Sequence, residues 1–315
     1  MADARALRKE AAVALGVLSG AMVAVQARIN GTLATRVGDA VTAACVSFGT
    51  GLLVIAALVA SREATRHGVR ALLAALRTGR LRWWQAVGGA GGAGFVIVQA
   101  SVVPVVGVAL YSVSVVAGQT SSGLAVDRVG LGPAGRAPVT GPRVAAAALT
   151  VVAVLVSVSG RLGNASHLVA LAAAVAAGAV VAAQQAVNGH VSRASGQPQV
   201  AGLLNFLTGG VVLALVLLVR ALLGAGPEHG LPHEWWLYVG GTLGLVSIVA
   251  AAAVVRVLGV LTLGLCSVLG QLGGSLVVDA VAPVHGQGVT WRGVLGAALT
   301  GVAVLVAQRR RGRAA

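Results

Sequence analysis

The sequence predicts an all-α membrane protein whose ten transmembrane helices form an inverted five-plus-five repeat. Composition, the spacing of uncharged runs and an internal duplication each point to it. Of 315 residues, 57% are hydrophobic and only 10% charged, with a mean hydropathy of +0.91; a soluble domain carries roughly 25% charged residues. A bilayer core of about 30 Å takes roughly 20 apolar residues per helix, so a chain of this length crosses repeatedly. Aromatic residues make up 3% and glycines number 45, so helix contacts are expected from small residues that let backbones approach closely.

Uncharged runs bounded by Arg, Pro or Gly place helices near 11–31, 40–60, 83–103, 105–126, 143–160, 168–188, 198–219, 235–255, 258–278 and 292–307. The run around Pro104 is too long for one span, so the chain is expected to turn back there. Cys45 and Cys266 both fall inside apolar runs and carry no information about redox compartment.

A net charge of +15 would suggest nucleic acid in a soluble protein. Here the arginines flank hydrophobic runs, which is an orientation signal, and no nucleic-acid partner is expected. With ten spans both termini share one side. That side collects eighteen Lys and Arg, six of them in the linker 61–82, against five (Arg28, Arg36, Arg161, Arg220 and Arg292) on the other. The positive-inside rule then predicts cytoplasmic termini in a cell (inner or plasma) membrane.

The chain also matches itself. At an offset of 158, residues 20–51 align with 178–209 without a gap and 12 of 32 positions are identical. Gly20, Gln26, Asn30, Gly31, Gly38, Phe48, Thr50 and Gly51 meet Gly178, Gln184, Asn188, Gly189, Gly196, Phe206, Thr208 and Gly209. At an offset of 152, Trp83, Trp84, Gly88, Gly89 and Gly92 meet Trp235, Trp236, Gly240, Gly241 and Gly244; Gly118, Gln119 and Asp127 meet Gly270, Gln271 and Asp279. Recurrence of Gln, Asn, Trp and Asp in one register defines two repeats, 1–160 and 161–315. The first apolar run follows three cations and could pass for a signal peptide, but its mid-chain counterpart predicts that it is a retained helix. Five spans per repeat is odd, so the second repeat enters from the opposite face. In agreement, the counterpart of the arginine-rich linker, 220–234, keeps only Arg220 beside Glu228 and Glu234. Inverted halves are a recurrent plan for secondary transporters.

The segments Gln26-Ala27-Arg28-Ile29-Asn30-Gly31, Gly38 and Ser47-Phe48-Gly49-Thr50-Gly51 resemble the opening of the YdcZ-like family of bacterial inner-membrane exporters. Gly118-Gln119 to Asp127, and Gly270-Gln271 to Asp279, resemble that family's fourth-helix stretch. The resemblance runs through nearly the whole chain twice. It implies the drug/metabolite transporter superfamily, in a fused ten-helix form. Small multidrug exporters of related architecture carry a first-helix glutamate. This chain has Gln26 and Asn30, and Gln184 and Asn188, in the corresponding helices, which argues against proton coupling through such a carboxylate.

Gln26 and Asn30 lie four apart on one helix face, as do Gln184 and Asn188. Amides are costly in hydrocarbon unless bonded, so they face other helices or a wet cavity. Two readings stand side by side for these four, and for Gln119, Gln271, Ser47 and Asn205: interhelical hydrogen bonds worth about 0.6–2 kcal/mol each, or substrate binding and gating. Depth along the helices suggests an outer cluster (Gln26, Asn30, Gln271) and an inner one (Gln184, Asn188, Gln119), with Ser47 and Asn205 nearer the middle. Asp127 and Asp279 end the fourth and ninth helices. A structural cap is the favoured reading for each, and ion coupling near a cavity mouth is the alternative.

His229 and His233 have a helical metal-site spacing, but Gly230 and Pro232 break that helix, so no metal site is expected. No nucleophile–base pair, phosphate loop or zinc signature appears, so neither an enzyme nor a cofactor is expected. The resulting expectation is a secondary transporter exporting a small organic molecule or metabolite, its partners being the lipid bilayer and that substrate. The alternatives are a lipid-handling or lipid-flipping protein and a non-transporting membrane partner subunit.

Overall fold

The computed structural model describes residues 2–133, 135–136, 138–159, 165–283 and 288–308, and every regular element among them is helical. In order these are α1 (Ala2–Val37), α2 (Ala40–Ser61), α3 (Glu63–Arg77), α4 (Gly89–Val106), α5 (Val108–Val129), α6 (Gly141–Val158), α7 (Ala165–Ser195), α8 (Pro198–Leu222), α9 (Gly240–Val281) and α10 (Trp291–Gln308). Six stretches among the described residues are long and apolar enough to cross a membrane, in α1, α2, α4, α7, α8 and the second part of α9. Shorter apolar helices lie in α6, the start of α9 and α10.

Several boundaries differ from the sequence expectation for identifiable reasons. The linker 61–82 is not a plain connection. Its residues 63–77 form the amphipathic helix α3, whose Leu72 and Ala75 pack with Val191, Val200 and Ala201 while its arginines point away. The tryptophan pairs do not open their helices directly; Trp83–Ala86 and Trp235–Tyr238 are single 3-10 turns that precede α4 and α9. The turn expected at Pro104 comes at Gly107, where φ is +85°, a conformation that L side chains rarely adopt. Pro104 stays in the last turn of α4.

The counterparts of Pro104 and Gly107 in the second repeat are Arg256 and Gly259. Without the proline, the helical runs on either side of that point join over 240–281 with no intervening coil residue. A straight helix of that length would extend about 63 Å, twice a bilayer core. Its contacts with α1 rule out a straight rod. Gly240 and Gly244 lie against Asn30 and Gln26, descending α1, whereas Cys266, Gly270 and Gly274 lie against Gly16, Val17 and Ala21, ascending it. α9 therefore doubles back between Gly244 and Leu263.

The same pattern recurs with the repeats exchanged. Gly88 and Gly92 of α4 lie against Asn188 and Gln184, antiparallel to α7. Gly118 of α5 lies against Val175 of α7, and further along Ser122 donates to the Ala179 carbonyl, so α5 runs parallel to α7. Each repeat's third and fourth apolar segments thus pack on the first and second helices of the other repeat, so the halves interlock. The bundle has two ends, marked by the N-caps of α2 and α8. At the Asp39 end lie the exits of α1 and α8 and the start of α9. At the Gln197 end lie α3, the exit of α7 and the start of α4.

α5 is the enclosed element, with Val108 through Gly118 buried without interruption. Its N-terminus is capped across the repeat boundary by Asp279, whose carboxylate oxygens accept from Val108 N at 2.9 Å and Ala109 N at 2.7 Å. Because Gly107 has no Cβ, this carboxylate can approach: an added one would meet Asp279 Oδ2 at 3.1 Å.

Candidate functional site

The intramembrane amides recognised in the sequence are paired in space with the repeated glycines. A Cβ on Gly244 would lie 2.8 Å from Gln26 Oε1, and one on Gly92 would lie 2.7 Å from Gln184 Nε2. Asn30 Oδ1 occupies the corresponding space over Gly240. Asn188 Oδ1 would stand 2.8 Å, and Asn205 Oδ1 3.4 Å, from a Cβ on Gly88. These helices need glycine where they do because an amide head group fills the volume of the missing side chain.

Backbone fills the next position. Gly241 abuts the Ser47 carbonyl and Gly89 the Asn205 carbonyl, with Thr50 and Thr208 Oγ1 alongside. Both hydroxyls are turned back onto their own helices, to Ser47 O and Leu204 O.

Between the two clusters stands an aromatic contact. Phe48 and Phe206 meet edge to face with centroids 5.3 Å apart, each ring lying over the other helix's glycine, Gly209 and Gly51. The two rings occupy equivalent positions of the duplicated sequence. Phe48 also approaches the Gly92 position at 3.5 Å, beside Gln184.

The eight amide and hydroxyl candidates therefore divide. Gln26 and Asn30 share one cluster, and Gln184, Asn188 and Asn205 the other. Ser47, one residue before Phe48, is buried beside the first. Asn205 is less central than its depth suggested, because it converges with Asn188 on Gly88. Gln119 and Gln271 lie elsewhere, on the α5–α7 and α1–α9 seams. The Gln271 backbone N would be 2.7 Å from a Cβ on Gly20, a turn and a half below Gln26, so Gln271 does not join the Gln26 cluster.

Three functionally placed residues were not singled out in the sequence. Gln99, wholly buried in α4, accepts from Asn30 Nδ2 at 2.8 Å. Its repeat position is Ala251, so the duplication could not flag it; a lone glutamine inside an apolar run was the available signal. Phe48 and Phe206 did recur in register, and that recurrence was the signal for them.

The carboxylates sit at the ends. Asp127 pairs with Arg143 at the start of α6. Asp279 caps α5 and lines a small cleft with Val106, Gly107, Leu110, Thr290 and Gly293. Asp39 caps α2 through Thr42 N at 2.9 Å and Thr42 Oγ1 at 2.6 Å and pairs with Arg220 at the exit of α8. Burial pushes the Asp39 carboxyl up, but the hydrogen bonds from Thr42 and Arg220 and the guanidinium charge outweigh it and hold it below its ordinary value.

A bundle of long apolar helices with interlocked halves and buried amides defines a multi-pass membrane protein. The family model described as "Putative inner membrane exporter, YdcZ" matches residues 11–156 and again 169–306, and the chain belongs to that family. Searches of curated proteins and of solved structures found no match.

Proposed function

We propose that this chain is a secondary transporter that exports a small organic molecule by alternating access. In this reading it makes ten crossings in two inverted repeats, 1–160 and 161–315, with both termini cytoplasmic. One observation carries it. Two chemically matched amide–glycine clusters flank the Phe48–Phe206 contact, and each is built from both repeats. Two such clusters can exchange open and closed states without a net change in packing, since each is the image of the other.

Several features support the topology. α4 runs antiparallel to α7, the two parts of α9 run in opposite directions along α1, and the arginine-bearing α3 lies at the Gln197 end. Glu228 and Glu234 gather at the Asp39 end, against Gly38 and Arg36. The positive-inside rule then makes the Gln197 end cytoplasmic. Gln26, Asn30 and Ser47 serve as the outer gate, and Gln184, Asn188 and Asn205 as the inner one. Gln119 and Gln271 hold the helices that move past one another. Asp127 and Asp279 act as end anchors, and any ion coupling through them would be at a cavity mouth.

Reporter cysteines at Gln26 and Gln184, placed singly in a background lacking Cys45 and Cys266, test the mechanism. Alkylation of the first from outside and of the second from inside, each suppressed by trapping the opposite state with a cross-link across the other cluster, is the expected result. If trapping one side leaves the other unchanged, alternating access is wrong. Substrate-independent scrambling of fluorescent lipid in liposomes would instead favour a lipid-handling protein.

A further inference from the structure

We infer that Asn30, Gln99 and Tyr111 form a subsite, absent from the second repeat, that binds a neutral ligand group carrying a hydrogen-bond donor beside an acceptor, such as a carboxamide, an imide or a lactam. This rests on the transporter reading above and names the class of substrate.

The three side chains come from α1, α4 and α5 and are 1%, 0% and 0% exposed. One hydrogen bond joins the amides, from Asn30 Nδ2 to Gln99 Oε1. Their remaining valences are unmet: Asn30 Oδ1, Gln99 Nε2 and Tyr111 Oη are all buried without a partner. The Tyr111 hydroxyl faces the Gln99 side chain but does not reach hydrogen-bond geometry. Each such orphan costs about 1–3 kcal/mol, and natural cores hold few of them. Three at one place form a recognition surface whose chemistry can be specified: an acceptor, a donor, and a phenol that supplies either. An amide-like group carries the complementary donor and acceptor.

The surroundings exclude charge. Tyr111 is packed in one core cluster with Ala24, Ala27, Val102, Val103 and Val115, with the Phe95 ring 6.2 Å from its own. A bare cation or anion would be desolvated there without a counter-charge, at far greater cost than a neutral amide.

Asymmetry separates this from helix-joining polarity. Asn30 has its image in Asn188, but Gln99 and Tyr111 correspond to Ala251 and Leu263. If the amides served only to join the first and third crossing helices within a repeat, the same requirement would act on both repeats. The extra pair stands beside Asn30 alone, so the ligand is gripped there.

Thermal unfolding of the purified full chain, followed by tryptophan fluorescence, tests the assignment with nicotinamide and uracil as neutral probes and nicotinate and tetraphenylphosphonium as charged ones. Binding to the folded state raises the melting temperature. The neutral probes are expected to raise it and the charged ones not. Tyr111→Phe and Gln99→Met should each weaken the apparent affinity about three- to tenfold, the loss of one hydrogen bond. Without probe Tyr111→Phe should be as stable as the parent or more so, whereas Gln99→Met also leaves Asn30 Nδ2 without its acceptor and should be less stable. The inference is overturned by a rise only with charged probes, by a rise unchanged in both variants, or by no rise with either neutral probe, as expected if buried water satisfies the three atoms. It is equally overturned if Tyr111→Phe lowers the melting temperature without probe, which marks the hydroxyl as structural. Alternating accessibility at Gln26 and Gln184 together with any of these outcomes removes the subsite and leaves the transporter reading intact; its absence removes the transporter reading itself.

Discussion

Gly244 and Gln26 show how a single residue position is determined from two directions. The glycine is needed because the amide lies over it, and the amide is tolerated because the glycine leaves room. Gly244→Ala is therefore expected to destabilise the fold by about 1–3 kcal/mol, the usual cost of overpacking. Adding Gln26→Ala should restore much of the loss; a double variant no more stable than Gly244→Ala would mean that the two do not share the space. The pseudo-equivalent pair Gly92 and Gln184 should respond alike. Asp39 provides a pH-dependent case. Its folded-state pKa lies below its unfolded value of about 3.8, so its contribution is fully present above that value and is lost as pH falls through the depressed one. Asp39→Ala should cost about 1–2 kcal/mol at neutral pH, as loss of an N-cap does. The gap in melting temperature between variant and parent should narrow only under strongly acid conditions; a gap independent of pH would show that the carboxylate charge is not what stabilises the cap.

Among elements, α3 matters beyond its sequence appearance as a charged linker. One face docks Leu72 and Ala75 onto α7 and α8, and Gly68 meets Gln197 at the cap of α8. The other face carries arginines suited to an anionic leaflet, as interfacial helices do. Leu72→Ala should remove about 2–4 kcal/mol of this docking. Trypsin should then cut within 62–82 faster than in the parent while the remaining bundle resists; unchanged cleavage would mean that α3 is held by the bilayer rather than by Leu72.

At the scale of the molecule, the interlocking of repeats makes the two clusters interdependent. Cysteines at Arg70 and Glu228, introduced singly without Cys45 and Cys266, are expected to label from opposite sides of the membrane. Equal labelling of both from outside intact cells would defeat the inverted topology. Gln26→Leu and Gln184→Leu each weaken one gate, so they should bias the protein towards opposite-facing states. The expected readout is opposite changes in the reactivity of a cysteine at Ser47, with transport reduced in both. If both variants transport normally and leave that reactivity unchanged, the amides only hold helices together.

The sequence by itself determined that the chain is helical and membrane-borne, because the bilayer requires backbone polar groups to be satisfied within each crossing segment and that demand appears as apolar length. It also determined the duplication and the pairing of Gln26 and Asn30 with Gln184 and Asn188, since polar residues are too costly in hydrocarbon to recur in register by composition alone. Local pattern could not reveal that the fourth-helix stretches around Gln119 and Gln271 pack away from the amide clusters. It could not show that Gln99 accepts a hydrogen bond from Asn30, or that within the linker 61–82 residues 63–77 fold as a docked helix. Those were decided by tertiary structure, because each depends on which helix of one repeat meets which helix of the other. That choice is made by the fit of glycine to amide and of backbone to backbone across more than a hundred residues of chain, and not by any property of the residues taken singly.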